Sequence, residues 1–219
     1  KKNLNDIIKE TNGSILFSYD NKYILYVKLD SVHRAKSIFL HKIGTHQNKD
    51  RLIYKEKKER FSVSIYPTSD EKFFIISSGD HSTNKCYILK ADFKKFKMKL
   101  FKDSKENVSY SLDSWDGYYY NHTNDKAADF KIERSKHTSL NKLEEYVRPK
   151  KNTIIGNYLI LKDWFLWSET KEANHKIFVK NLNTLKIDEI RVFEDEIKSI
   201  SISTYQKDKN TDLIYIDYS

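Results

Sequence analysis

Apolar and polar residues alternate along this chain with a period of two, in short runs separated by polar turns. In order the runs are "SILFSYD", "KYILYVKLD", "SIFLHKI" and "RLIYKE", then "RFSVSIY", "KFFIISS", "KCYILKA" and "KFKMKLFK". A third set comprises "VSYSLDSW", "YYYNHT", "DFKIERS" and the less regular "KLEEYVRPK", and a fourth "TIIGNYLILK", "WFLWSE", "HKIFVKNL" and "IDEIRVF". The pair "SISISTY" and "LIYIDYS" ends the chain. Alternation of this kind is what a strand needs to bury one face. Helical periodicity is almost absent: "SLNKLEEYV" is the best candidate, and it reads equally well as a strand.

Taken in fours, the runs repeat at roughly 40 to 50 residues, the spacing of four-stranded propeller blades. The five glycines, Gly13, Gly44, Gly79, Gly117 and Gly156, fall about one per unit. Pro67 and Pro149 lie at a strand end and in a connection between units, where a missing N–H does no harm. The expected fold is therefore all-β: a β-propeller of four-stranded antiparallel blades, with about four full blades plus terminal strands, in a single domain over residues 1–219. One further strand is expected near "NDIIKE". If the terminal pieces pair, they close a small ring; if not, the chain is an open arc whose unpaired edges invite self-association.

Composition supports a folded domain. Charged residues make up 32% of the 219, yet Tyr (15), Phe (12) and Trp (3) supply enough apolar surface for a core, which disordered chains lack. The formal charge of +9 permits an anionic partner. The arginines, at 34, 51, 60, 134, 148 and 191, are scattered, whereas phosphate recognition favours clustered guanidinium forks; no nucleic-acid partner is expected. The single Cys86 forms no internal disulfide, which fits a reducing, cytoplasmic setting. No apolar run reaches the ~18 residues of a membrane helix, and "KKNLNDIIKE" has no signal-peptide core, so no membrane partner is expected.

The chemistry-bearing residues do not form a recognisable site. There is no Gly-x-Ser-x-Gly elbow to expose a nucleophile and no Gly-x-x-x-x-Gly-Lys-Ser/Thr loop. "SSGDHS", Ser77 to Ser82, holds Ser, Asp and His in one loop, but catalytic groups converge in space, so it reads as a turn. His33, His41, His46, His81, His122, His137 and His175 show no metal-ligand spacing, and His41 and His46, flanking Gly44, read as turn and strand-face residues. Glu144–Glu145 and "FEDEIK", Phe193 to Lys198, read as solvated surface. Asp80, Asp113, Asp116 and Asp163 read as turn caps. The aromatic clusters "SWDGYYY" and "DWFLW" read as core. No catalytic, cofactor-binding or metal-binding residue and no cofactor is predicted.

One segment is more specific. "HKIGTHQNKDRLIYKEKKERF" supplies His41, Ile43, Gly44, Thr45, Gln47, Asp50, Leu52, Ile53, Tyr54, Glu56 and Phe61 in the order His-x-Leu-Gly-Thr, Gln, Asp-x-Leu-Val-Tyr-Glu-Glu, Phe. It resembles the β-propeller domain of the oligopeptidase B (protease II) branch of the prolyl oligopeptidase family of serine peptidases. "TNKCYILKAD" is similar to that family's Thr-Ser-Glu-x-x-x-Leu-Asp-Ala strand. Tyr110, Ser111, Leu112, Asp113, Tyr120, Thr123, Asn124, Ala127 and Phe130 resemble its next blade, and "LKDWFLWSETKEANHKIFV" a later one. The resemblance implies that Gly44 turns the chain between the third and fourth strands of a blade and that Phe61 opens the next. Four positions depart: Lys55 stands where a Glu is usual, Lys85 replaces a Glu, Asp129 an Asn and Thr170 an Arg. These changes bear on any salt bridges between blades or against the catalytic domain, and drift without selection would produce such a set.

In the family the propeller sits over an α/β-hydrolase domain that carries the triad, and it restricts access to short peptides. The resemblance implies a non-catalytic chain, inactive alone, from a peptidase that cleaves short peptides after Lys or Arg. Its partners would be the catalytic domain and, in the complete enzyme, short basic peptides. A stand-alone binding scaffold and the remnant of a decaying peptidase gene are the alternatives.

Overall fold

A computed structural model describes residues 4–18, 20–93, 97–191, 199–204 and 209–218. Every run above forms a strand. The first sheet orders β1 (Thr11–Phe17), β2 (Tyr23–Leu29), β3 (Ala35–Lys42) and β4 (Arg51–Lys55) as a meander. The second does the same with β5 (Ser62–Pro67), β6 (Phe73–Gly79), β7 (Asn84–Lys90) and β8 (Met98–Lys102). The third comprises β9 (Tyr110–Trp115), β10 (Tyr118–Thr123), β11 (Lys131–Lys136) and β12 (Glu144–Val147). The fourth comprises β13 (Ile154–Leu161), β14 (Trp164–Lys171), β15 (Asn174–Asn181) and β16 (Ile187–Ile190), and β17 (Ile200–Ser203) pairs with β18 (Tyr215–Tyr218). The chain packs as two compact units, 1–112 and 113–219, divided within β9.

The second strand of each four-stranded sheet organises the fold. β2, β6, β10 and β14 each begin with one half-buried residue followed by at least three buried ones. Both faces of these strands are covered, so they read as near-continuous apolar runs such as "FFII" and "FLW". In the first unit Leu25, Val27, Ile38 and Leu40 from the first sheet meet Val63, Ile65, Phe74, Ile76 and Leu89 from the second. In the second unit Phe165, fully buried, holds its ring 5.3 Å from Tyr120, 4.8 Å from Tyr146 and 5.4 Å from Tyr158. The opposite face of that sheet buries Leu161, Leu166 and Ile177 against Ile200, Ile202 and Ile216 of β17 and β18. The aromatic clusters are thus core, as their alternation implied.

The first hairpins of the first two sheets share one turn chemistry. Asp20 Oδ1 accepts from Ser18 Oγ at 2.7 Å and the Lys22 amide at 3.1 Å; Asp70 Oδ1 accepts from Thr68 Oγ1 at 2.8 Å and the Lys72 amide at 3.2 Å. Asn21 and Glu71 between them take positive φ, 53° and 55°. This is an Asx-type turn used twice. The expected strand near "NDIIKE" does not form. That segment is held instead by side chains, and its last residue, Glu10, gives its carbonyl to the Leu29 amide at 2.7 Å.

Two-residue turns link β9 to β10 and β14 to β15. The first uses Asp116–Gly117, φ 44° and 81°, the pairing preferred when both residues must be left-handed. The second uses Glu172–Ala173, φ 51° and 60°, with Lys171 paired to Asn174 across it. A left-handed Ala costs about 1–2 kcal/mol, part of which Gly returns as extra chain entropy on unfolding. Ala173→Gly is therefore expected to stabilise the chain by about 0.5–1 kcal/mol in urea denaturation, whereas Gly117→Ala is expected to destabilise it by a similar amount.

Candidate functional site

The segment from His41 to Phe61 builds two buried polar clusters in the first unit. Gly44, at φ 83°, turns the chain after β3, and a short 3₁₀ turn, Gln47–Lys49, returns it to β4. His41, at the end of β3, is completely buried. Its Nδ1 lies 2.7 Å from Asp50 Oδ1 and its Nε2 2.9 Å from Asp6 Oδ1. Asp50 Oδ2 also accepts from Tyr26 Oη at 2.9 Å, and Asp6 Oδ1 from the Gly44 amide at 2.6 Å. Burial opposes the charged imidazole, but hydrogen bonds to both carboxylates outweigh it and raise the His41 pKa above its usual value. The His41 hydrogen bond and the Gly44 amide hold Asp6 below the usual carboxylate range. His41 is thus a buried link in an ionic chain; reading it as an ordinary strand-face residue missed this. His46 stays at the turn and caps the 3₁₀ turn through the Asn48 amide.

The second cluster centres on Glu56, whose side chain is 2% exposed. Its Oε2 accepts from Tyr54 Oη at 2.7 Å and from Ser78 Oγ, and lies 3.0 Å from Lys85 Nζ; Oε1 accepts from the Lys58 amide at 2.7 Å. Burial alone would raise the Glu56 pKa, but these four donors outweigh it and pull it down to about 2. Nearby, the buried Lys36 ammonium donates to the carbonyls of Lys58 and Glu59, each at 2.8 Å, and of Phe61. Lys36 thereby fixes the connection that delivers Phe61 to β5.

Two grooves are lined by lysine. One, of about 460 Å³, runs over β3 and β4 past Lys28, Arg34, Lys55 and Lys57, with Asp30 and Glu59 on its rim. The other, of about 530 Å³, lies at the β14–β15 turn, where Lys150, Lys151, Lys171 and Lys176 surround Glu169. Glu169 is buried and accepts both Lys150 Nζ, at 2.6 and 2.7 Å, and Trp167 Nε1, at 2.8 Å. Neither lining includes a Ser, Asp and His together.

The other candidate residues fall largely where their sequence context put them. "SSGDHS" is a turn only in its second half: Ser77, Ser78 and Gly79 end β6, where Ser77 Oγ accepts from Asn84 Nδ2 at 2.8 Å, while Asp80 caps the turn by accepting the amides of Ser82 and Thr83 at 3.0 and 2.9 Å. Asp113 is not a turn cap: it lies within β9, where it accepts the Ser114 amide at 2.7 Å, and Asp163, in the β13–β14 turn, takes the Asn183 side chain at 3.0 Å. Glu144 and Glu145 are exposed and pair with Arg134 and Arg148. "FEDEIK" lies outside the described residues. A Ser–His contact does form, Ser114 Oγ to His137 Nε2 at 2.9 Å, with Ser114 completely buried. Cys86 is likewise buried, and burial pushes its thiol up to about 12, so it is inert. Among the described residues no cluster of three or more His, Cys, Asp or Glu is arranged to hold a metal ion, and no helix is long and apolar enough to cross a membrane.

The sequence profile described as "Prolyl oligopeptidase, N-terminal beta-propeller domain" matches residues 1–219. The chain belongs to the prolyl oligopeptidase family. It is 24% identical over 122 residues to Protease 2 of Moraxella lacunata, a match covering 56% of this chain and 18% of that protein. Its fold superposes on oligopeptidase B of Trypanosoma brucei with a TM-score of 0.87 at 18% identity, over 97% of this chain and 31% of that one. For oligopeptidase B of Leishmania major the TM-score is 0.89 at 15% identity, over 100% and 32%. The chain thus spans less than a third of these relatives and has the fold of their propeller.

Within that family's pattern the polar departures are not all losses. Lys85, read above as standing where that family has a Glu, supplies a half-buried ammonium that pairs with the buried Glu56, and so ties the end of β4 to β7. Thr170, where an Arg is usual, bonds His175 Nδ1 at 2.9 Å. Lys55 is exposed, and the Asp129 carbonyl accepts the Ile155 amide at 2.8 Å. A Glu at 85 would place two carboxylates together in a buried site, so Lys85→Glu is expected to destabilise the chain by about 3–5 kcal/mol in urea denaturation. The depressed Glu56 pKa adds stability that is fully present above its unfolded value near 4.5 and is lost as pH falls through about 2. Glu56→Gln is expected to flatten that acid limb of the stability–pH curve.

Proposed function

We propose that this chain is the non-catalytic propeller portion of an oligopeptidase B-like serine peptidase, folded as one domain over residues 1–219. In this reading a separate α/β-hydrolase domain carries the triad and hydrolyses short peptides after Lys or Arg, while the propeller limits access to its active site. The reading places the protein in the cytoplasm. The observation that carries it is the match to oligopeptidase B over 97–100% of this chain but only 31–32% of those chains. The ordered motif from His41 to Phe61, by which the sequence resembles oligopeptidase B, supports the same branch. The Ser–His contact of this chain is buried and adds no activity of its own.

The test uses the purified chain with an Arg-Arg reporter peptide, alone and mixed with the catalytic domain of an oligopeptidase B stripped of its propeller. Alone it is expected to show no hydrolysis sensitive to serine-directed inhibitors. In the mixture it is expected to bind the catalytic domain and to protect unfolded protein substrates from cleavage while the reporter is still cut. Inhibitor-sensitive hydrolysis by the chain alone overturns the non-catalytic reading, and a mixture that cleaves long and short substrates alike overturns the gating.

A further inference from the structure

The Asp6–His41–Asp50 cluster has a protonation requirement that follows from geometry. An ionised carboxylate only accepts hydrogen bonds, and His41 faces one with each ring nitrogen, at 2.7 and 2.9 Å. With both carboxylates ionised, both nitrogens carry a proton, and the ring is an imidazolium. A neutral imidazole has one N–H to give, and the two acids do not compete equally for it. Asp50 is 2% exposed and is also bonded to Tyr26, so it has no water to fall back on. Asp6, 8% exposed, comes from a segment without regular structure. Loss of the proton leaves the Nε2 lone pair against the Asp6 carboxylate, and the member that can reach water leaves.

We propose that His41 is a proton-operated latch: its imidazolium holds residues 4–8 on the first sheet, and its deprotonation releases them. Release stops at Lys9. Gln47 grips the backbone of Lys9 from both sides, Nε2 to its carbonyl at 3.0 Å and Oε1 from its amide at 3.1 Å, and these bonds do not depend on protonation. On the same connection, the His46 ring accepts the Asn48 amide through Nδ1 at 3.3 Å rather than facing either carboxylate. From β2, Tyr26 stays protonated because burial pushes its hydroxyl up to about 12, and Glu10 beyond it pairs with Lys28 at 3.1 Å. The window follows from the two shifts. The His41 contribution is complete below its unfolded value near 6.5 and fades as pH rises through its higher folded value. The Asp6 contribution is complete above its unfolded value near 3.8 and fades as pH falls through its lower folded value. The latch is closed between the two folded values and opens on the alkaline side.

The experiment uses the whole ¹⁵N-labelled chain. Imidazole nitrogen shifts of His41 are followed from pH 5 to 10 together with amide exchange protection at Gly44, whose N–H donates to Asp6 Oδ1, with β2 and β6 as internal references. At pH 6 both nitrogens of His41 are expected to be protonated. Protection at Gly44 is expected to fall at least tenfold over the pH interval in which His41 titrates, while protection in β2 and β6 holds. In Asp6→Asn the His41 midpoint is expected to move down and protection at Gly44 to be low at every pH. A neutral-ring signature at pH 6, or protection at Gly44 that stays constant through the His41 titration, overturns the latch. Both readouts come from the unaltered chain, so they stand even if the variant does not fold.

Discussion

Burial of the second strand of every four-stranded sheet on both faces is the constraint on which the rest of this structure depends. A strand such as "FFII" in β6 or "FLW" in β14 has no solvent side, so its sheet must be covered twice. In the first unit the two sheets cover one another through Leu25, Ile38, Ile76 and Leu89. In the second, the fourth sheet is clad on one face by Tyr120, Ile132 and Val147 of the third and on the other by Ile200, Ile202 and Ile216. Each four-strand unit is incomplete without a neighbour, which is why a propeller repeats.

Once the sheets are pressed together, polar groups caught between or beside them must be satisfied. The first unit does so with ions. Lys36 spends its ammonium on backbone carbonyls, Glu56 collects four donors, and His41 sits between two carboxylates. A buried ion pair of this kind adds little net stability over an apolar replacement, but removing one partner is costly, so it fixes register more than it adds free energy. Both clusters join parts of the chain distant in sequence: Asp6 to His41 to Asp50, and Glu56 to Ser78 and Lys85. The residues of the His41–Phe61 motif are therefore used for holding, and the motif's regularity reflects a tight turn, a 3₁₀ return and three buried charged side chains, His41, Asp50 and Glu56, packed into twenty-one residues.

This also bears on the departures from the family's pattern. Read singly, Lys85 looks like a lost carboxylate; in the fold it is the counter-ion of Glu56. Thr170 has a new partner in His175. An opposite charge set 3.0 Å from a buried carboxylate is what that carboxylate needs in order to stay ionised, so Lys85 serves the fold of this sheet.

The strand pattern was legible because it is a local property. Alternation over five to eight residues marks where a pleated ribbon has an inside, and polar turns mark where it reverses, so the runs, their grouping in fours and their all-β class could be read directly. The same local reading placed Asp80 in its capped turn and the aromatic clusters in the core. It erred near "NDIIKE", where a segment that resembles a strand is claimed by side chains of the first sheet, and it read His41 as ordinary because nothing next to a histidine reveals that carboxylates 35 residues before it and 9 after it will meet its ring. By itself, then, the sequence determined the strands, the turns and the family pattern. Only the tertiary structure decided which charges are buried together, because burial and the pairing it enforces arise from contacts between sheets, which no short stretch of the chain contains.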